Sequence, residues 1–321
     1  LRSCGDARMA AASAMRAFEI AAHAIMLGKT QSTLVVGVEN MSMSPHLIPK
    51  SRAGFRMGSA MFEDAMLLDA LVCSIENYHM GVTAENVAEK YGITREDQDR
   101  LAVLGQQRAC AAIRQGKFKE EIIPVAIKQK KETLLFDTDE HPREGTTMEA
   151  LAKLRTVFKE NGTVTAGNAS GVNDGAAAAV LMSAEKAQEL GVTPLARVVA
   201  TTSIGVAPAV MGLGPAAAIP EVLRQAKLSF KDIGCWEIHE AFAAQFLGVQ
   251  RMLKKENNLE FDMEKVNRNG SGIALGHPVG CTGLRIIVTL LHEMKKTGAA
   301  LGGATLCAGG GPAMAVIIEA L

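Results

Sequence analysis

Near the end of the chain, two glycine-flanked stretches place a histidine and a cysteine where acid–base chemistry could be done. NGSGIALGHPVGCTG (269–283) sets His277 directly before Pro278, which biases it to an extended conformation in a loop. Glycines on both sides let backbone approach a ligand closely. TLCAGGGPA (305–313) sets Cys307 at the end of a buried strand, before three glycines. A free buried thiol commonly packs as a small hydrophobe, yet such a glycine run also bares N–H groups beside it, as an oxyanion requires. EIHEAFAAQ (237–245) places His239 and Glu240 where a strand opens into a helix, at the positive end of its dipole. There they are either caps or groups that hold a water or polarise a carbonyl. GTVTAGNASGVNDGAAA (162–178) reads as a loop with an N-cap, or as a contact for the amide-bearing arm of a ligand. At the other end of the chain, SCGDARMAAASAMRAF begins at Ser3 and offers Cys4 beside a glycine, at the mouth of a helix that would lower its pKa.

These residues need elements to hold them. Residues 13–27 have helical periodicity ended by Gly28, and STLVVGVEN (32–40) follows as a buried strand. The same order recurs as a helix over 282–298 and a short strand over 304–311. Laid together, Ser13 falls on Thr282, Arg16 on Arg285 and His23 on His292, which points to two related α/β halves. Between them, Thr94 with Asp97 opens a helix to Gln115 that Gly116 ends, and 120–127 is a strand candidate. Residues 129–145 read as charged and irregular, and Thr146 with Glu149 opens a further helix, EALAKLRTVF. A strand over 193–206, a helix over 216–227 and a strand-to-helix break at His239-Glu240 within 235–253 complete the reading.

The 321 residues suffice for two ordinary domains or one large α/β assembly. At 48% hydrophobic but only 4% aromatic, the core must be aliphatic. Lys and Arg number 34, as do Asp and Glu, so no basic excess points to nucleic acid or an anionic membrane. No apolar run is long enough for a transmembrane helix and no signal peptide is visible. The six cysteines form no CxxC pair, which fits reduced thiols in the cytoplasm better than disulfides or zinc. Leu1 runs almost at once into a helix pattern with no preceding strand, so a truncated N-terminus is expected.

GVENMSMSP, HMGVTAENVAEKYGITREDQD, DEHPREGTTMEALAKLR, TAGNASGVNDGAAA, HEAFAAQ, GHPVGCTG and LCAGGGPA, in this order, resemble the thiolases, most closely the acetyl-CoA acetyltransferase type. The resemblance runs from about residue 13 to residue 321. It implies two α/β/α/β/α halves with an inserted loop domain. Residues 1–40 and 173–193 would be the incomplete first half, 41–172 the inserted loop (CoA-contacting) domain, and 194–321 the second half.

The implied reaction condenses two acetyl-CoA into acetoacetyl-CoA and CoA, or reverses this, through a cysteine acyl-enzyme. On that resemblance His277 activates the nucleophile and donates to a thioester oxygen, and Cys307 exchanges the α-proton. His239, where many relatives have Asn, holds a water for the first oxyanion, and Gly309 gives an N–H to the second. Ser170, His79, Met80 and Arg155 match positions that line bound CoA. The nucleophile would be Cys4, but relatives read SCGSAMRAF, and matching the helix without a gap puts Ala11 at that position. Cys4 lies seven residues earlier, on the order of 10 Å of helix. This departure keeps open a second reading, a CoA- or acyl-CoA-binding protein of the same fold with impaired catalysis; the swap at His239 leaves room for a longer acyl chain. The resemblance implies no metal, no cofactor besides the CoA thioester substrate, and a homodimer or homotetramer.

Overall fold

The computed structural model describes residues 9–130 and 132–321. A 3₁₀ turn, Ala10–Ala12, leads into α1 (Ser13–Met26) and then β1 (Ser32–Asn40). After a short hairpin of β2 (His46–Leu47) with β3 (Glu63–Asp64) come α2 (Met80–Tyr91) and α3 (Arg95–Arg114). A second hairpin joins β4 (Val125–Lys128) to β5 (Thr133–Phe136), followed by the single turn α4 (Met148–Ala152). Then follow β6 (Asp174–Met182), α5 (Ala184–Leu190), β7 (Ala196–Gly205), α6 (Gly214–Ala226) and β8 (Cys235–Ile238). The chain continues through α7 (Ala243–Asn257), the short α8 (Gly272–Leu275), α9 (Thr282–Thr297), β9 (Leu301–Cys307) and β10 (Pro312–Ala320).

The main sheet has the order β7-β10-β9-β8; its only parallel pair is β8 with β9, joined by the α7–α9 crossover. Strands β1 and β6 form a separate antiparallel pair. Helices α1 and α9 lie side by side between the two sheets, and α6 and α7 cover the other face of the main sheet. Strand β10 shows why this layering holds. Met314, Val316 and Ile318 join the α1/α9 core, whereas Ala313, Ala315 and Ile317 join the α6/α7 core. A strand buried on both faces reads as one apolar run rather than an alternation. The expected repeat is visible here too: α1 leads to β1, which pairs antiparallel with β6, as α9 leads to β9, which pairs antiparallel with β10.

Most expected elements form near their predicted bounds, with four corrections. The candidate strand over 120–127 is confined to β4, because Pro124 cannot donate to a ladder. The segment read as irregular contains β5, whose TLLF pairs along β4 in the hairpin. The helix expected from Thr146 is capped instead by Thr147 and lasts one turn, Met148–Ala152, rather than running through EALAKLRTVF. Helix α7 starts at Ala243, so His239 and Glu240 lie in the connection before it rather than at its first turn.

Candidate active site

The connection after β8, the end of β9, the loop before α9 and the turn before α1 converge at the carboxyl end of the parallel pair, where α/β sheets commonly bind ligands. A cavity of about 200 Å³ opens there. His277, Cys307, Gly309, Ser170, His79 and Met80 all line it, so six of the nine expected site residues meet at one place. That volume suits the acyl end of a thioester rather than a whole nucleotide-bearing ligand, since drug-sized sites run from about 300 Å³. A larger cleft of about 290 Å³, beside Phe230 and Trp236, holds none of these groups.

The loop before α9 fixes His277 at both ends. Its backbone N–H donates to Asn173 Oδ1 at 2.9 Å. Gly276, at φ +92°, lies so close to Asn173 that an added Cβ would meet the amide at 2.6 Å. The ring Nδ1 lies 2.7 Å from Thr282 Oγ1, and that hydroxyl donates to the Pro278 carbonyl at 2.9 Å. Having given its own proton to Pro278, the hydroxyl accepts from Nδ1–H, which leaves Nε2 with the lone pair. Burial, with the Arg285 charge second, pushes His277 down to about 3, so the ring is neutral at neutral pH.

Cys307 closes β9 at 2% exposure, and burial pushes its thiol up to about 12. The turn after it is tied by Ala308 N–H to the Pro312 carbonyl at 2.8 Å. Gly309 N–H makes no hydrogen bond among the described residues, which leaves it as a donor at the cavity edge.

His239 is fully buried and stands behind this wall, its ring centroid 4.2 Å from that of His277. Burial, reinforced by the neighbouring His277 and Arg285, drives it well below its ordinary value. Its ring fits because residue 272 is glycine; a Cβ there would lie 2.4 Å from the imidazole. Ser170 is held to the same connection, its N–H donating to the Ala241 carbonyl at 2.9 Å. His79 caps α2 by accepting from Gly81 N–H at 2.9 Å and stacks on Phe158 at 4.5 Å.

Two expected residues stand apart. Arg155 is exposed, after α4, and does not line the cavity. Cys4 lies outside the described residues. Ala11, reached by the ungapped match to SCGSAMRAF, does line the cavity, and presents a methyl group there. Four contributors escape a reading of motifs: Thr282, Asn173, Phe158 and Arg285. Thr282 and Asn173 sit inside quoted motifs, but only the fold reveals that both grip His277.

Known proteins share this fold. A family model described as "Thiolase, N-terminal domain" matches residues 7–185, and one described as "Thiolase, C-terminal domain" matches residues 192–320. The chain is 51% identical over 310 residues to an acetyl-CoA acetyltransferase of Escherichia coli (strain K12), covering 96% of this chain and 77% of the relative. A solved acetyl-CoA acetyltransferase from Syntrophomonas wolfei superposes with a TM-score of 0.96 at 54% identity, covering 98% of this chain and 79% of that one. Human mitochondrial 3-ketoacyl-CoA thiolase superposes at 0.93 with 40% identity, covering 97% of this chain and 78% of that one.

Proposed function

The chain belongs to the thiolase family, and from that premise we propose that it transfers an acetyl group between coenzyme A thioesters, condensing two acetyl-CoA to acetoacetyl-CoA or running the reverse thiolysis. The observation that carries this reading is the single cavity lined by His277, Cys307 and Gly309.

In the first step a cysteine thiol, assigned to Cys4, gives its proton to the free Nε2 of His277 and attacks the thioester carbonyl carbon. A sulfur–carbon bond forms, the old one breaks, and CoA leaves as a thiolate. Cys307, a thiol at neutral pH because burial holds it near 12, donates its proton to that leaving thiolate. It is then itself the thiolate that a weak carbon acid requires. In the second step it takes an α-proton from a second acetyl-CoA, and the enolate carbon attacks the acyl-enzyme. As the new carbon–carbon bond forms, the acyl–sulfur bond breaks; the acyl group leaves in the product, and the freed cysteine thiolate takes its proton back from His277. His239 and Gly309 serve the two oxyanions, and His79, Met80 and Ser170 line the pantetheine. The Arg155 guanidinium, exposed after α4, is assigned to the nucleotide end of CoA.

Ala11 on the cavity wall favours a second reading, a CoA-binding protein of this fold without acyl transfer. The two readings part on one assay: acetoacetyl-CoA made from acetyl-CoA, lost in Cys307→Ala, supports the enzyme. CoA binding without product supports the binder. We further assign the protein to the cytoplasm as a dimer or tetramer. Five described cysteines are free, and no helix among the described residues is long and apolar enough to cross a membrane.

A further inference from the structure

Behind His239 lies a polar interior that the steps above leave unused. Arg285 projects from the second turn of α9, three residues after Thr282, so the two share one side of the helix. Its Nη1 and Nη2 are buried without a protein partner, although a guanidinium cannot shed its charge. Its charge acts on Glu237, Glu121, Glu240 and the rings of His239 and His277. Yet among the described residues no carboxylate pairs with it within 4.0 Å. Glu237 is 1% exposed with both carboxylate oxygens unpartnered. Oε2 of Glu121, Oε2 of Glu240 and both ring nitrogens of His239 are likewise buried without a protein partner.

Buried polar groups in folded proteins are satisfied by protein or by ordered water. Polar groups that share a buried interior beyond direct hydrogen-bond reach are commonly joined by ordered water. The planar fork of an arginine suits this task, because its donors are fixed in direction and can hold several acceptors at once. We propose that Arg285 is a positioning residue: it anchors a string of ordered water running from half-buried Glu121, past Glu237, to the ring of His239, and so sets how His239 meets the reacting thioester. The first turns of α9 then serve both histidines, Thr282 gripping His277 and Arg285 holding His239 through water. Only the last step, the action on a thioester, rests on the acyl-transfer reading.

The direct test is a crystal structure of the unaltered protein at a resolution that places water. Ordered water on Arg285 that bridges to Glu237 and reaches a ring nitrogen of His239 is the expected result. A direct Arg285–Glu237 ion pair, or a dry contact between them, overturns the proposal. Kinetics supply the second arm. Arg285→Gln should lower kcat by about 10- to 100-fold with KM for acetyl-CoA nearly unchanged, the scale of a small misplacement at a reacting centre. Arg285→Lys should regain only part of that loss, since an ammonium keeps the charge but not the fork. A folded Arg285→Gln with unaltered kcat contradicts it. If Arg285→Gln fails to fold, the water positions decide. An unaltered protein with no acyl transfer would count against the enzyme reading alone, and the crystallographic arm would still decide the string of water.

Discussion

His277 has its backbone N–H on Asn173 and its Nδ1–H on Thr282, which leaves one lone pair for chemistry. Thr282→Val keeps the shape and removes the acceptor, so the ring can turn or change tautomer. The expected outcome is a kcat lower by about 10- to 100-fold with a nearly unchanged melting temperature. Cys307→Ala should cost at least about 100-fold in condensation while CoA binding persists, measured by steady-state rate and by titration calorimetry. The buried ionisable groups also fix a pH signature. His277 and His239 fold neutral and unfold with ordinary values near 6.5, so they lose stability as pH falls from there. Glu121 and Glu240, raised to about 7, fold protonated and lose stability as pH rises from 4.5 towards 7. The two sets oppose each other between 4.5 and 6.5. Below 4.5 only the histidines of these four groups still act, each removing about 1.4 kcal/mol per pH unit until its folded value is reached, and carboxylates held below their ordinary values, Asp97 and Glu221 among them, add to the fall. Denaturant melts at stepped pH should show a shallow region and then a steep acid fall; a steady slope through both contradicts it. Sequence motifs exposed His277 and Cys307 because glycines crowd around them. They hid Thr282 and Arg285, whose work depends on which way a helix turns.

At the scale of elements, helix ends were the most readable signals. Thr94 and Asp97 form the capping box their spacing announces, each side chain bonding the other's backbone. Thr94→Ala should cost about 1 kcal/mol in a denaturant melt. The β4–β5 hairpin was harder to see, because all eight of its strand residues are exposed and no buried face imposes a pattern. Helix α4 failed as a long helix for a related reason: only Leu151 in it is buried, too little to hold more turns together. Strand β10 marks the opposite limit. Ile317 is wholly buried between β10 and the α6/α7 layer, so Ile317→Ala should cost about 2–5 kcal/mol and lower the melting temperature accordingly.

Over the whole molecule, the layers are unequal. The main sheet is covered on both faces, while Leu34, Val36, Val38 and Val180 of the β1–β6 pair are more than half exposed. Exposed apolar stripes of this kind mark association surfaces, in keeping with the proposed oligomer. Light scattering should give a mass above that of one 33.9 kDa chain, and Val36→Lys should lower it if this face is used. Ala11 lines the active-site cavity with a methyl, so acyl transfer requires Cys4 to carry the acyl group. Brief incubation with acetyl-CoA, followed by mass spectrometry of cysteine-containing peptides, tests this directly. An acetyl-sized gain on the Cys4 peptide, absent from the others, is the predicted result. Peptides left unmodified while CoA still raises the melting temperature would contradict it.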